Sequence, residues 1–531
     1  MPPFSRRPPL SRRHLLQGFA AVATSSVLSG CGASLYRTLG VPSTKPLSVP
    51  RPSPNLPVAI PSPSTPTSPP TPPTPQPPAT QPIPSGPLTP ASLTVTTSAL
   101  GTFGPEFLGL SFEKQALSTP LFTAANTDLV GLFQRLGTGV LRIGGASVDD
   151  AVWTPLGTGQ TPAQIAPSDV DRLAAFLHDT GWTCIYGINL GGSATGATSP
   201  ALAAAEVAYV AQKLGPALIG IELGNECETY GDPNSFYAYN WTVQTFEILW
   251  TQFRDAILAT TPGAPLTGPA SASNVYGWTL PFGEFITRNS IDLLTHHYDR
   301  GPGLSATAED LLSADHNLAT QLQQLRYGAE SIDIPFRIDQ CTNYTGGGIP
   351  GISDAFASSL WAIDTIFICA LGGANGINFQ AGTQAPSTQG TPDPTHTPPL
   401  FYGLLLASMA GQGTLLSTNL SANSLNVTCY AIQTPSGGLS LLLVNKDATA
   451  NLDLSITLPS AMTTASLLAL TQLSSGASGP VLTATSAITL QGATLAADGS
   501  FNPLAPYALN LAGDQLTCYV PALSAILIQI T

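Results

Sequence analysis

Short apolar runs alternate with longer helical patterns between about residues 105 and 395, and this alternation allows few folds. The helical patterns include ALAAAEVAYVAQKLG at 201–215 and DAFASSLWAIDTIFICALGGA at 354–374. Eight strand–helix units in about 290 residues are typical of a (β/α)8 TIM barrel, so an α/β fold is predicted. A doubly wound open sheet is the competing architecture, but no GxGxxG turn follows an early strand. The predicted strands are FLGLSFE (107–113), GVLRIGG (139–145), CIYGINL (184–190), LIGIELGNE (218–226), APLTGPA (264–270), IDLLTHHY (291–298), PFRIDQ (335–340) and NGINFQ (375–380).

The pattern changes near residue 399. Apart from FYGLLLASMAG at 401–411, the remaining apolar runs are short and separated by Gly, Ser, Asn and Asp, as in NVTCYAIQT, GLSLLLVNK and SAILIQIT. Short alternating strands with frequent turn residues predict a β-sandwich. The sequence therefore predicts a barrel domain at 91–398 and a C-terminal β-sandwich at 399–531.

A proline-rich segment precedes the predicted barrel. Residues 42–90 contain 20 of the 50 prolines, mixed with Ser and Thr and without apolar periodicity. Such a segment cannot bury enough surface to offset its ordering entropy, so residues 32–90 are predicted to be a linker with polyproline-II character. An SH3-type ligand is the alternative, although the tract lacks flanking Arg or Lys.

The first 31 residues have the pattern of an export signal. Arg12–Arg13 precede an apolar run too short to span a bilayer, which is typical of a twin-arginine signal. The run ends in Leu-Ser-Gly-Cys31, which resembles a bacterial lipoprotein box and implies lipid attachment at Cys31. We expect an exported protein that is lipid-anchored to the bacterial cell envelope. An uncleaved signal anchor remains the alternative.

Charge and cysteine content exclude further classes. The first 90 residues hold 7 of the 18 Lys and Arg, so the remainder carries 11 cations against 31 acids, a net charge of −20. A protein without a cationic face does not bind nucleic acid. The six cysteines beyond Cys31 are too sparse for a disulfide scaffold, and no spacing suggests a metal site, so neither a metal nor another cofactor is predicted.

Function in a TIM barrel sits at the carboxyl ends of the strands. Amides, carboxylates and aromatic rings at these positions suit a polyhydroxylated ligand such as a sugar. Within GIELGNE, strand alternation places Glu222 and Glu226 on one face, with Glu222 deeper and Arg142 as its partner. Glu226 is positioned to protonate a leaving oxygen if partial desolvation raises its pKa. The candidates are Glu113, Asp149, Asn189, Asn225, Glu226, His297, Tyr298, Gln340 and Gln380.

Four segments resemble glycoside hydrolase family 79, the β-glucuronidase and heparanase family. They are LRIGGASVD (141–149), IELGNECETY (221–230), THHYD (295–299) and DQCTNYTGGGIPGISDAFASSLWAID (339–364). The resemblance covers roughly 91–531, and it implies that a strand at about 92–105 joins the sandwich.

The resemblance implies a retaining mechanism that uses two Glu residues. Glu226 matches the acid/base of the family, while the nucleophile position is occupied by Gln340. An amide neither forms a glycosyl ester readily nor stabilises an oxocarbenium ion. Asp339 is not expected to substitute, because adjacent strand residues face opposite sides. A bridge between Cys227 and Cys341 across the site is a further, less favoured expectation.

The other correspondences concern sugar contacts. Glu113 and Asp149 match positions that contact the glycone, and His297–Tyr298 match a His-Tyr pair near the nucleophile. Among the remaining candidates, Asn225 is expected to bond a sugar hydroxyl, Asn189 to end a strand at the mouth, and Tyr344 to reach the mouth from the following loop. Each has the alternative reading of a barrel-rim residue that serves only the structure.

We therefore expect a monomeric glycoside hydrolase of the retaining β-glucuronidase/heparanase type. It would act on O-glycosidic bonds of an exogenous, uronic-acid-containing carbohydrate and be impaired by Gln340. The alternative is a non-catalytic carbohydrate-binding pseudoenzyme on the cell surface.

Overall fold

The computed structural model describes residues 79–237, 240–285, 291–301, 306–345, 348–380, 397–473 and 479–531. They all belong to the compact unit Pro75–Thr531. The twin-arginine pattern, Cys31 and nearly all of the proline-rich segment lie outside the described residues.

Twenty-one strands run through the described part of the chain. They are β1 (Leu88–Phe103), β2 (Leu108–Glu113), β3 (Val140–Gly144), β4 (Val152–Trp153), β5 (Gln164–Ile165), β6 (Thr183–Ile188), β7 (Leu218–Leu223), β8 (Leu266–Ser271), β9 (Leu293–Asp299), β10 (Phe336–Thr342), β11 (Ile377–Gln380), β12 (Gly413–Ser421), β13 (Val427–Gln433), β14 (Leu439–Asn445), β15 (Asn451–Thr457), β16 (Ala465–Gln472), β17 (Ile488–Leu490), β18 (Tyr507–Ala508), β19 (Leu511–Ala512), β20 (Gln515–Val520) and β21 (Ser524–Ile530).

Eight of these strands close into a parallel barrel in the order β2-β3-β6-β7-β8-β9-β10-β11. Each lies within, or within two residues of, one of the eight predicted runs, and the final strand pairs with the first through Leu110 and Phe379. The prediction of a TIM barrel is confirmed. Because parallel barrel strands all end at one face, the polar residues that follow them meet there.

Helices connect successive barrel strands. Ser199 begins α3 by accepting a hydrogen bond from Leu202, and Pro200 at the first helical position has no N–H to leave unpaired. The helices are α1 (Thr127–Leu136), α2 (Pro167–Thr180), α3 (Pro200–Leu214), α4 (Val243–Thr260), α5 (Thr279–Phe285), α6 (Ala308–Leu311), α7 (His316–Ile332), α8 (Phe356–Leu371) and α9 (Pro399–Met409).

The sandwich-type sheet has the strand order β17-β16-β21-β14-β13-β12-β1-β15-β20-β19, with β18 beside β16, and is mostly antiparallel. Its central strand β14 is buried on both faces. Leu441 and Leu443 pack within the sandwich, whereas Leu442 and Val444 pack into the core that continues into the barrel. This two-sided burial explains the continuous apolar run GLSLLLVNK.

Two element boundaries differ from the predicted domain limits. β1 begins at Leu88, because its first residues pair in parallel with β15 from Asn451 onward, and it also pairs with β12. α9 packs on α8, so the sheet resumes only at Gly413. Asp364 of α8 links the barrel helices to the sandwich-type sheet. Its buried carboxylate accepts hydrogen bonds from Thr428 and Tyr430 of β13 and pairs with Lys446.

The six described cysteines are free thiols, so the bridge between Cys227 and Cys341 is not formed. Across the described ranges, no helix is both long and apolar enough to cross a bilayer.

Candidate active site

Arg142 of β3 is the centre of the polar cluster inside the barrel mouth. Its side chain is fully buried, as are those of Glu222 and Asp339. The guanidinium pairs with Glu222 Oε2 at 2.7 Å and with Asp339 Oδ2 at 3.0 Å. A charge removed from water this completely requires such partners, so the predicted pairing of Arg142 with Glu222 is confirmed.

The same guanidinium also orients the two amides that end neighbouring strands. Nη2 donates to Asn225 Oδ1 at 2.9 Å, and Nη1 donates to Gln340 Oε1 at 3.0 Å and to Ser111 Oγ at 3.2 Å. Because both amide oxygens point to Arg142, their NH2 groups are left as donors for other partners. Arg142 thus brings Asn225 and Gln340 to one site.

The expectation that Asp339 faces away from the site is wrong, because β10 contains a bulge. Ile338 pairs with His296 while Gln340 pairs with His297, so Asp339 is an extra residue relative to β9. A bulge interrupts the alternation of side chains and re-aims them locally. As a result, Asp339 and Gln340 both face Arg142.

The strand that carries Glu226 also departs from simple alternation. β7 ends at Leu223, and Gly224 has a φ of +79° where a Cβ would lie 2.5 Å from Cys227 Sγ. Glu226 itself adopts a left-handed conformation with φ 47°, and its N–H bonds Ala270 O at 2.9 Å. Non-glycine residues rarely adopt this region, and such residues concentrate at functional sites.

Glu226 contacts His297 directly. The Nδ1 of His297 lies 2.9 Å from Glu226 Oε1, and the Glu226 side chain is 29% exposed. Burial opposes ionisation of Glu226, but the hydrogen bond and charge of His297 outweigh it, so the pKa of Glu226 is lowered. The expected rise in this pKa is therefore not found. Burial and Arg142 oppose protonation of His297, but Asp339 and Glu226 together raise its pKa.

Glu113, at the end of β2, lies on the neighbouring side of the barrel mouth. Its Oε2 accepts from the Ser147 N–H at 2.8 Å, and its Oε1 accepts from Gln380 at 3.3 Å. Gly145, with φ +72°, makes room for this carboxylate, since a Cβ there would lie 2.3 Å from Glu113 Oε1. Glu113 is half-buried. It ends β2, and its two partners follow β3 and end β11, the strands on either side of β2.

Asp149 and Asn189 are buried, and each bonds the loop that carries the other. Asp149 accepts from the N–H groups of Leu190 and Gly191 and from the Tyr230 hydroxyl, at 2.9, 2.8 and 2.5 Å. Burial raises the pKa of Asp149 to about 6. Asn189 donates to the carbonyls of Asp149 and Ala151. These bonds order the loops after β3 and β6, and a sugar-binding role for either residue stays a prediction.

The His-Tyr pair divides between two sides of β9. His297 faces the site, whereas Tyr298 faces outward and donates to Asp315 at the start of α7. His296 is also outward and bonds Thr279 at 2.9 Å. This follows from the period of two along a strand. The structure therefore does not bring Tyr298 to Glu226.

Tyr344, on the loop after β10, is 4% exposed and hydrogen-bonded to Arg300. Burial is the main reason that its pKa is raised. A role for Tyr344 at the mouth stays a prediction.

The sequence reasoning missed Glu228. Its Oε1 accepts from the backbone of Ala272 and Ser273 at 2.6 and 2.7 Å, which ties the loop after β7 to the loop after β8. Burial and the nearby Glu226 raise the pKa of Glu228. In the sequence, the only indication of a role for Glu228 is its position two residues after Glu226. In the described ranges, no group of three or more His, Cys, Asp or Glu side chains is arranged to hold a metal ion.

The site thus combines one partly exposed carboxylate, Glu226, with a neutral amide, Gln340, over a buried ionic cluster. Hydrogen-bonding amides and carboxylates at the barrel mouth suit a hydroxylated ligand. The arrangement contains a proton-exchanging group but lacks an ionised carboxylate at the Gln340 position.

The fold is shared with solved glycoside hydrolases. A 4-O-α-L-rhamnosyl-β-D-glucuronidase from Fusarium oxysporum 12S is 18% identical and aligns with a TM-score of 0.68 over 82% of this chain and 99% of that chain. A GH51 arabinofuranosidase from Xanthomonas axonopodis pv. citri is 16% identical, with a TM-score of 0.61 over 83% and 100%. A GH44 xyloglucanase from Paenibacillus polymyxa is 12% identical, with a TM-score of 0.61 over the same shares. No family model and no curated protein sequence matches the chain. This chain therefore has the barrel-and-sandwich fold that occurs in glycoside hydrolases.

Proposed function

We propose that this protein binds a glycan at the barrel mouth and acts as an impaired retaining glycoside hydrolase of the β-glucuronidase/heparanase type. The observation that carries the proposal is the pair of hydrogen bonds from Arg142 to Asn225 and Gln340. One guanidinium holds the residue that precedes Glu226 and the residue at the nucleophile position of the resemblance. Glu226 and Gln340 therefore belong to one site.

The proposed chemistry follows from the two groups. A retaining glycosidase needs an acid that protonates the leaving oxygen and a carboxylate that attacks the anomeric carbon. Glu226 has the partly exposed carboxyl group for the first role. Gln340 has the shape for the second role but not the charge, so the glycosyl-enzyme step is expected to be slower by several orders of magnitude.

A non-catalytic glycan-binding protein is the second candidate. It is favoured by the lowered pKa of Glu226, since a general acid must carry a proton at the working pH. In a two-carboxylate site, a negative neighbour raises the pKa of the acid. Gln340 removes that neighbour, which is consistent with an ionised Glu226.

The test compares hydrolysis of a chromogenic aryl β-glucuronide by the unmodified protein and by Gln340→Glu. We expect slow turnover by the unmodified protein and a gain of at least about 100-fold in Gln340→Glu, abolished again by adding Glu226→Ala. Azide, an external anionic nucleophile, should accelerate the unmodified protein but not Gln340→Glu.

Two results would oppose the proposal. Enzyme-like turnover by the unmodified protein would mean that Gln340 does not occupy the nucleophile position. No gain in Gln340→Glu on any aryl β-glycoside, combined with glycan binding, would support the non-catalytic candidate instead.

A further inference from the structure

Three side chains in the barrel mouth are arranged in series from solvent to the interior. Glu226 Oε1 lies 2.9 Å from Nδ1 of His297, and Nε2 on the other side of the same ring lies 3.8 Å from Oδ1 of Asp339. The Glu226 side chain is 29% exposed, His297 is 2% exposed and Asp339 is fully buried. The imidazole therefore connects a solvent-facing carboxyl group with one that has no contact with solvent.

The contact between His297 and Asp339 is formed by two buried polar atoms. Among the described residues, neither Nε2 of His297 nor Oδ1 of Asp339 has a hydrogen bond to another N–H or O–H group. Leaving such atoms unpaired costs free energy. A gap of 3.8 Å is too short for an intervening water, and closing it by less than 1 Å would form a direct hydrogen bond. The two atoms are therefore natural partners for each other.

Asp339 and Glu222 share one cation. Both carboxyl groups are buried and lie beside Arg142. Two ionised carboxylates beside one cation repel each other, which favours a proton on one of them. Arg142 lies 2.7 Å from Glu222, and Thr295 also donates to Glu222 at 2.9 Å. These contacts keep Glu222 ionised, while burial and the charge of Glu222 raise the pKa of Asp339.

We propose that Asp339, His297 and Glu226 form a proton relay that recharges Glu226 as an acid. Asp339 transfers its proton from a carboxyl oxygen to Nε2 of His297, and His297 releases the proton on Nδ1 to Glu226 Oε1. The imidazole changes tautomer, Asp339 becomes the carboxylate, Glu226 becomes the neutral acid, and the total charge is unchanged. Asp339 is a positioning residue in this scheme, because it acts on the ligand only through His297 and Glu226.

The relay builds on the proposed function and adds to it a source for the proton. In a site with two carboxylates, the ionised nucleophile keeps the acid protonated. Gln340 cannot do this, but the bulge that turns Asp339 inward puts a carboxyl group back into the cluster one residue earlier. After the transfer, the negative charge that Gln340 lacks resides on Asp339, beneath the site.

The state of His297 depends on every charged group around it. Arg142 opposes its protonation. The adjacent His296, on the other side of β9, is a second imidazole that interacts with its charge, while the carboxyl groups nearby favour its protonation. The carboxyl groups that act on His297 are Glu222, Glu226, Glu228, Asp299 and Asp339. Asp299 offers a matched control, because its charge acts on His297 but its carboxylate bonds Thr342.

The test is a pH titration of the His297 ring nitrogens by NMR in protein labelled with 15N-histidine, without any sugar. We expect the apparent pKa of His297 to fall by about one unit or more in Asp339→Asn, with Nε2 losing its share of the proton, and to change much less in Asp299→Asn. Glu226→Gln should shift the proton toward Nε2. Asp339→Glu should restore most of the unmodified behaviour, which also shows that the position tolerates substitution.

Equal shifts in Asp339→Asn and Asp299→Asn would overturn the relay, because that result is a general charge effect. An Nε2 that stays unprotonated in the unmodified protein throughout the titration would overturn it as well, even if Asp339→Asn does not fold. The measurement needs no turnover, so a protein that hydrolyses no glycoside yet shows the Asp339-dependent shift would retain the relay and lose the proposed hydrolysis.

Discussion

Arg142 Nη1 donates a hydrogen bond to Gln340 Oε1 at 3.0 Å, deep in the barrel mouth. A cation in this position would stabilise a carboxylate, yet it meets a neutral amide. Its charge is balanced instead by Glu222, which is fully buried beside Asp339. The charge of Arg142 is therefore neutralised without a carboxylate at residue 340. A glutamine at this position leaves no buried charge unpaired, so it does not destabilise the fold.

Removing the cation from this cluster should destabilise the protein. Arg142→Met leaves Glu222 and Asp339 buried without their cation, so we expect the free energy of unfolding to fall by about 3–5 kcal/mol. Arg142→Lys should cost less. Urea unfolding followed by tryptophan fluorescence measures both. Arg326→Met serves as the control, since its pair with Glu330 is about half exposed and should contribute about 0.5 kcal/mol or less. A similar loss for the two Met variants would contradict the importance of the buried cluster.

Gly145 should be needed for the position of Glu113. Gly145→Ala introduces a Cβ 2.3 Å from Glu113 Oε1 and forces that carboxylate off Ser147 and Gln380. Gly137→Ala is the matched control, because Gly137 has a similar backbone conformation, with φ 81° and ψ −147° against φ 72° and ψ −179°, and open space around it. Both variants place an alanine in a backbone region that only glycine adopts readily, so the difference isolates the clash. We expect Gly145→Ala to be less stable by about 1 kcal/mol more and to bind glycan more weakly. Equal stability and unchanged binding would remove Glu113 from the site.

Asp149 should make the stability depend on pH. Its pKa is about 6 in the folded protein against an ordinary value of 3.8, so the folded state binds the extra proton between these pH values. Stability from this group is therefore full below about pH 4 and is lost as pH rises to 6, by about 3 kcal/mol. Asp149→Asn should flatten this part of the stability curve, measured by urea unfolding at several pH values. The control is Asp255→Asn, which removes a carboxylate that is 63% exposed, and an equal effect of both substitutions would disprove the assignment.

The amino-terminal signal has its own test. If lipid is attached to Cys31, Cys31→Ser should move the protein out of the membrane fraction and abolish incorporation of labelled palmitate. Ser34→Ala, just beyond the predicted cleavage point, should behave like the unmodified protein. Membrane retention of Cys31→Ser without any label in the unmodified protein would favour an uncleaved signal anchor.

The architecture follows from the order of apolar runs along the chain. The apolar runs are enough to identify eight barrel strands, because such strands are buried on both faces and each run is separated from the next by a helix. They also determine which strand ends carry Glu113, Glu226, His297 and Gln340, since those residues follow the apolar runs directly.

The contacts of those side chains depend on how the strands pair in space. The bulge at Asp339 depends on the register between β9 and β10, which the sequence of β10 alone does not encode, and it reverses the expected direction of a carboxyl group. The low pKa of Glu226 depends on a histidine 71 positions away, and the carboxylate of Asp149 bonds loops that only the closed barrel brings together. Alternation is a property of neighbours in the chain, whereas pairing, burial and charge are properties of neighbours in space.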